Sequence, residues 1–454
     1  MQPTIIQTEP KFHRRIDDFL LSWKQRKLHK PLIIRGARQI GKTRAIEYFI
    51  DHNYASTIKI NFALQPEYRT IFDDGFDVDK ILKNISLINP LAKFIPGKTA
   101  IFFDELQDCI NAATSLKSFN QDGRFDVICS GSMLGINYGE IDSNSVGNKE
   151  DYEMHSMDFE EFLWAIGYQP SQIEDLYTSM IKIKPLSDLE MRVMMGHFKD
   201  YMIVGGMPEA VAIFIANKNY SGVLNIQKQI LRDYEEDIIK YAEGVDKARI
   251  LNAYRKIPVF LGNENKKFQI TKLDDGARNR EYAGVVDWLA DAGIINICYC
   301  MEVPELPLKG NYNPELFRAY FADTGLLIGS LDDEAQDDLR KNQNFNTYKG
   351  AIYENIIADM LKKEGYDLYF YKNEKSTIEM DFMVRDARSL IPVEVKAIDG
   401  ATASLNNLIA SAKYTDIHYG IKFAMKNIGF NGKFYTFPYF LAFLLKRFLA
   451  ENTP

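Results

Sequence analysis

The run Gly36-Ala37-Arg38-Gln39-Ile40-Gly41-Lys42-Thr43 is a complete G-x4-G-K-[ST] loop, set between an apolar strand-like run at 31–35 and a helix-like pattern at 43–51. Glycines there let successive N–H groups turn inward, and the following helix N-terminus adds a dipole that favours phosphate. All eight residues are expected to contact a nucleoside triphosphate, ATP, with Lys42 reaching its β and γ phosphates and Thr43 ligating Mg²⁺. The run Thr99-Ala100-Ile101-Phe102-Phe103-Asp104-Glu105 is a buried strand ending in two carboxylates. Asp104 is expected to support the Mg²⁺, and Glu105 to polarise the attacking water, so that Glu105 and Lys42 form the catalytic pair. A further strand at 125–130 ends in Ser130-Gly131-Ser132, where either hydroxyl can sense the γ-phosphate or serve the turn.

A second constellation lies near the C-terminus: Glu354 on a helical pattern, Asp381 on a strand over 378–384, and Glu394 and Lys396 on a strand over 391–397. A turn at 386–389 would pair Arg385 with Leu390, setting Asp381 opposite Glu394 and Glu379 opposite Lys396. Period-two alternation then places Asp381, Glu394 and Lys396 on one face, and Phe382, Val384, Val393 and Val395 on the buried other. Opposed carboxylates repel unless a divalent cation lies between them. Asp381 and Glu394 are therefore expected to hold a second cation, Mg²⁺ or Mn²⁺, with Lys396 on the same face. The alternative is an inactive binding domain in which Lys396 pairs with Glu379 and the acids are solvated.

These groups need elements to position them. Over residues 1–165, strands at 31–35, 57–62, 100–103 and 125–130 alternate with helical patterns, beginning with one at 12–28, which predicts a mainly parallel sheet flanked by helices. Residues 166–245 read as a helical connector. Just before it, Asp158 caps a helix with Glu161 three residues on, and within it Gly205-Gly206-Met207-Pro208 stops one helix and starts the next. Residues 246–330 hold helical patterns at 250–261, 270–274 and 280–292 and a strand at 294–301, the order of a winged helix. Residues 331–454 form the last domain.

From Lys247 to Arg280, nine basic residues (Lys247, Arg249, Arg255, Lys256, Lys266, Lys267, Lys272, Arg278, Arg280) face three acidic ones (Glu264, Asp274, Asp275), an excess of +6. Such a patch suits a DNA backbone, or else a domain-docking face.

The 454 residues carry 55 basic and 62 acidic side chains, net −7, so any nucleic-acid contact must be regional. With 46% hydrophobic and 26% charged residues the chain is of ordinary globular composition. Cys109, Cys129, Cys298 and Cys300 lack zinc spacing and are too few for a disulfide framework. Without an apolar leader or a membrane-length run, a cytoplasmic protein with no membrane partner is expected. The aromatic stretch 434–445 is expected to close a core.

The runs IIRGARQIGKT, IFFDELQ, SGSMLG, MDFEEFLWAIG, GGMPEAV and KGAIYENIIADML, in this order, resemble a large bacterial and archaeal family of AAA-like P-loop ATPases with an uncharacterised C-terminal region. The resemblance spans nearly the whole chain. It implies an ATPase of AAA-like fold, in which Ser130 or Ser132 takes the sensing position. Where relatives carry a basic residue after the glycine preceding the FEEFL helix, this chain has Gly147-Asn148 and then Lys149, which leaves Arg124 as a finger candidate should the chain self-associate. The C-terminal residues Glu354, Asp381, Glu394 and Lys396 resemble the PD-(D/E)xK nuclease core, which implies that Glu354 joins Asp381 and Glu394 in holding Mg²⁺ or Mn²⁺ and that Lys396 is the catalytic group that orients or activates water. The expected architecture is thus α/β: an AAA-like parallel-sheet domain, a helical connector with a winged helix, and a restriction-nuclease-like α/β domain. The expected function is Mg²⁺-dependent ATP binding and hydrolysis acting on DNA through the winged helix and the nuclease-like domain, or else a nucleotide-dependent regulatory switch or binding scaffold with an inactive nuclease-like domain.

Overall fold

The computed structural model describes residues 11–132, 145–242, 246–262, 279–344, 348–373, 378–397 and 402–452. The chain opens with α1 (Arg15–Gln25), β1 (Leu32–Gly36), α2 (Lys42–Asn53), β2 (Ser56–Asn61), α3 (Val78–Ile88), β3 (Thr99–Asp104), α4 (Ile110–Asp122), β4 (Asp126–Ser132) and β5 (Glu150–Glu153). The five strands pair in parallel in the order β2-β3-β4-β1-β5.

Side-chain alternation explains the sheet's place. Leu32, Ile34, Ala100, Phe102 and Ile128 enter one apolar cluster, and Ile33, Ile101, Phe103, Val127 and Cys129 enter another on the opposite face. Because helices cover both faces, central strand β3 is buried at every residue and reads as a continuous apolar run. Strand β5, Glu150-Asp151-Tyr152-Glu153, alternates between half-buried and exposed, as suits an edge.

A helical stretch follows: α5 (Phe159–Ala165), α6 (Pro170–Ile181), α7 (Asp188–Val204), α8 (Pro208–Asn217) and α9 (Val223–Tyr241). Asp158 and Glu161 form the expected capping box. Next come α10 (Asp246–Gly262), α11 (Asn279–Asp291), β6 (Ile295–Met301), β7 (Tyr312–Phe321), α12 (Thr324–Gly329), α13 (Ala335–Lys341) and α14 (Tyr348–Lys363). The helix expected at 270–274 lies outside the described residues, as do Lys266, Lys267, Lys272 and Arg278. The remainder is β8 (Leu368–Lys372), β9 (Glu379–Met380), β10 (Phe382–Arg385), β11 (Leu390–Lys396), α15 (Ala403–Ile409), β12 (Gly420–Ala424), β13 (Gly429–Phe430), β14 (Phe434–Pro438) and α16 (Leu445–Glu451). The aromatic stretch supplies β14 and a fully buried 3₁₀ turn, Tyr439–Leu444. Among the described residues no helix is long and apolar enough to cross a membrane.

Two further sheets form, β7-β6-β8-β9 and β10-β11-β12-β14-β13. Hairpin β6–β7 is antiparallel, but β6 also pairs in parallel with β8, so one sheet joins the segment after α11 to the C-terminal region. The expected pairing of Arg385 with Leu390 is present. At Asp381, however, the strand changes partner: β9 pairs with β8 and β10 with β11. Glu379 therefore faces Lys372 and not Lys396, a correction to the register expected for a single continuous strand.

The segments meet at a buried node. Asp323 Oδ2 accepts hydrogen bonds from the Ser156 hydroxyl at 2.7 Å and the Gly206 N–H at 2.8 Å, while Oδ1 caps α12 through the Leu326 N–H at 3.2 Å. Lys363 donates to the Met157 carbonyl (3.2 Å) and the Tyr201 hydroxyl (3.0 Å), and its ammonium lies 2.9 Å from Asp359. The Gly205-Gly206 pair does more than stop a helix. A Cβ on Gly206 would lie 1.9 Å from the Met157 carbonyl oxygen, and one on Gly325 would lie 2.4 Å from the Val204 carbonyl oxygen. Only glycine permits backbones to cross at these distances.

Candidate functional site

The tips of β1, β4, β3 and β2 align at the carboxyl edge of the parallel sheet, where α/β folds bind ligands. The loop from Gly36 to Thr43 leaves β1 there. A Cβ on Gly36 would strike the Met154 carbonyl oxygen at 2.2 Å, so only glycine fits beneath the chain entering from β5. Gly41, at φ 92°, sits just before α2 in the left-handed region glycine favours. Ile40 is buried and anchors the loop in the core. The Lys42 ammonium, itself buried, donates to the Gly36 carbonyl at 2.9 Å and the Ala37 carbonyl at 2.7 Å. Burial pushes its pKa down to about 8, against the upward pull of Glu105 and Asp104, with Arg38 adding to the fall.

Asp104 is the centre of the polar cluster. The Thr43 hydroxyl lies 3.3–3.4 Å from its two oxygens, Ser130 donates to Oδ1, and Asn61 Nδ2 donates to Oδ2 at 3.0 Å. Hydroxyl and carboxylate oxygens at this spacing form a donor set that suits a hard cation such as Mg²⁺. Glu105 follows in the left-handed region at φ 55°, a conformation costly for a residue with a Cβ, and Gln107 Nε2 donates to its carboxylate. Ser132 takes its backbone place opposite Gly36, and its side chain lies outside what is described.

Three parts of this site were not legible from motif spacing. Asn61 ends β2 in register with Asp104. Arg14 donates to the Ile40 carbonyl (3.1 Å) and the His155 carbonyl (2.9 Å) while Glu161 holds its Nε at 3.0 Å, so the FEEFL helix steadies the phosphate loop through an arginine. Helix α9 touches the loop as well: Arg38 Nη1 lies 2.6 Å from Asp237, Gln39 Nε2 donates to Asp233 at 2.5 Å, and the Tyr234 hydroxyl donates to the Arg38 carbonyl at 3.2 Å. Arg124, the finger candidate, is engaged within its own chain by Asp122 and Asp79, each at 2.7 Å.

At the C-terminal constellation the expected cation position belongs to a side chain. Arg318 on β7 is fully buried, with Nη1 3.6 Å from Glu354 and 4.0 Å from Asp381, Nη2 bonded to Glu379, and its plane 4.2 Å over Phe370. Asp381 Oδ2 accepts from the Val395 N–H at 2.8 Å. Lys396 pairs with Glu394 at 2.8 Å, and Lys422 on β12 is the register neighbour of Glu394. Burial opposes the Lys396 charge, but Glu394, helped by Asp381 and Glu354, raises its pKa above the ordinary lysine value. Glu394 is only 3% exposed and Asp381 is half-buried, and among the described residues Lys396 pairs with Glu394 and not with Glu379. Among the described residues no group of three His, Cys, Asp or Glu side chains is arranged to hold a metal ion. Around Glu354, Asp381 and Glu394 the Arg318 guanidinium and the Lys396 ammonium offset part of the acidic charge, and the described residues give no support to a second cation there.

In the basic segment, Arg255 is taken up by a bidentate pair with Glu235 at 2.7 Å.

Three family models match parts of the chain: an AAA domain over residues 28–163, and two domains of unknown function, DUF8612 over 195–337 and DUF4143 over 349–440. No curated protein matches. Solved structures with similarity include the Walker-type ATPase PABY2304 of Pyrococcus abyssi, at 11% identity over 71% of this chain and 97% of that one, TM-score 0.43. The Orc1 protein of Aeropyrum pernix, solved in complex with DNA, gives 10% identity over 74% and 93%, TM-score 0.28. The RuvB protein of Thermotoga maritima gives 13% over 63% and 92%, TM-score 0.30. With the loop between β1 and α2, the acidic end of β3 and the AAA match in one place, residues 28–163 form a P-loop ATPase domain of the AAA kind.

The Lys42 environment gives a pH dependence. Its folded pKa lies below the unfolded value, so between about pH 8 and pH 10 the unfolded chain binds more protons and the nucleotide-free protein gains stability as pH rises. Triphosphate restores the ammonium, so ATP affinity should fall as pH rises above about 8, approaching tenfold per unit, with net proton uptake on binding. Calorimetric titration at about pH 9 in two buffers of different ionisation heat checks this.

Proposed function

We propose that the chain is a Mg²⁺-dependent ATPase whose phosphates rest on Gly36, Ala37, Arg38, Gln39, Ile40, Gly41, Lys42 and Thr43. The observation that carries it is the convergence of Thr43, Ser130 and Asn61 on Asp104 within electrostatic reach of the Lys42 ammonium. Thr43 and Asp104 would hold Mg²⁺, which supplies charge neutralisation for the phosphates and leaving group. Glu105 takes the proton of the attacking water as its oxygen bonds to the γ-phosphorus. The bond to the β-phosphate oxygen breaks, and the electron pair leaves with ADP. Ser130, with Ser132 at the same strand end, reports the γ-phosphate.

In this reading residues 1–165 are the ATPase domain, 166–245 the connector, 246–330 a winged-helix-like domain and 331–454 a nuclease-like domain. DNA is the proposed partner, supported by the charge excess between Lys247 and Arg280. Lys42→Ala should abolish tight ATP binding. Glu105→Gln should keep binding while turnover drops roughly 100- to 10,000-fold. Nucleotide titration paired with phosphate release measures both; unchanged turnover in Glu105→Gln removes the base from Glu105.

For the C-terminal domain the reading favoured is a binding or switching module without cleavage, because Arg318 lies among Glu354, Glu379 and Asp381. Removing one member of a buried charge group costs about 3–5 kcal/mol. Arg318→Met should therefore melt lower than the parent, and millimolar Mn²⁺ should recover part of the loss while leaving the parent unmoved. If Mn²⁺ instead raises the parent's melting temperature, and Asp381→Asn removes that rise, Glu354, Asp381 and Glu394 hold metal and Lys396 regains its place beside the water.

A further inference from the structure

Helix α9 meets the phosphate loop with one face. Asp237 lies four residues after Asp233 and three after Tyr234, so it neighbours both on one face of the helix, and each of the three holds part of Arg38 or Gln39. Gln39 stands at φ 64°, a conformation unfavourable for a side-chain-bearing residue, and its amide is fastened to Asp233. Asp237 is 3% exposed; Oδ1 faces Arg38, and Oδ2 has no hydrogen-bond partner among the described residues. Its carboxyl is pushed up to about 6, first by burial, with Arg38 and Lys240 pulling down and Asp233 and Glu105 pushing up.

Arg38 acts on Lys42 and Glu105 acts on Asp237. Lys42, Arg38, Glu105 and Asp237 are therefore coupled within one charge cluster at the loop, which also takes in Asp104, Asp233 and Lys240. A triphosphate beside Lys42 brings several negative charges toward the Arg38 guanidinium, which is about one-third exposed. A diphosphate lacks the terminal group that would compete with Asp237 most strongly. A buried carboxylate stripped of its cation is costly, so Asp237 must then take up a proton or leave its seat.

We propose that Asp237 is a positioning residue for the ATP site, holding Arg38 off the terminal phosphate so that the triphosphate, and not the diphosphate, must break the Arg38–Asp237 pair and loosen α9 from the loop. The proposal rests on the ATPase reading and adds to it the route by which γ-phosphate reaches the connector.

The test uses the full chain with ADP and a non-hydrolysable ATP analogue, both with Mg²⁺. Wild type should show faster amide exchange across 223–241 with the triphosphate analogue than with ADP. Asp237→Asn should exchange quickly there without nucleotide and should bind the triphosphate three- to tenfold more tightly with ADP affinity unchanged. Arg38→Met, at a part-exposed position, should lose the triphosphate preference and the exchange difference, and Arg38→Lys should restore part of both. An unchanged triphosphate-to-diphosphate ratio in both Asp237→Asn and Arg38→Met overturns the proposal while leaving the ATPase reading intact. If the wild-type chain binds neither nucleotide, both readings fall together.

Discussion

One buried carboxylate, Asp323, sets the arrangement of everything else. At 3% exposure it cannot be left without donors, and its donors come from separate stretches of chain: Ser156 after β5, the Gly206 N–H after α7, and the first turn of α12. Lys363, 3.9 Å away on α14, adds the cation and ties in Asp359 and Tyr201. Satisfying that one group brings the ATPase domain, the helical stretch and the C-terminal region to a single point. The glycines at 205, 206 and 325 are the steric condition for it, because any Cβ there meets backbone or the Asp323 carboxylate. An apolar cluster running from Ile16 to Leu449 then encloses the node, so these regions share a core.

The consequence for function is that the nucleotide loop is held by parts of the chain far from it in sequence. Arg14 links the loop to the FEEFL helix, and Arg15 links that helix to Glu364 near the end of α14. Helix α9 holds the loop from the other side through Asp233 and Asp237. The elements that hold the loop thus continue, through Arg15 and Glu364, into the C-terminal half.

What was legible in the sequence follows from the range of the forces involved. The phosphate loop, the acidic end of β3 and the Asp158 cap depend on residues a few positions apart, and their spacing states their chemistry. Strand β5 was missed because Glu150-Asp151-Tyr152-Glu153 has little apolar content and pairs on one edge only. Asn61, Arg14 and Asp237 were missed because each acts across 26 or more residues, where spacing carries no signal. At Asp381 local alternation predicted one continuous strand, but β8 captured Glu379 and Met380, and the change of sheet brought Arg318 to the acids.

The central claim is that the node joins nucleotide site and C-terminal half into one cooperative body. Two single-tryptophan chains test it, one keeping Trp23 on α1 and one keeping Trp288 on α11, each unfolded in guanidinium with and without Mg²⁺ and ADP. A ligand that binds only the native state stabilises whatever unfolds with its site. The account predicts coincident midpoints for the two probes and an equal upward shift with ADP. A shift at Trp23 alone, with Trp288 unfolding in a separate and unmoved transition, would contradict it.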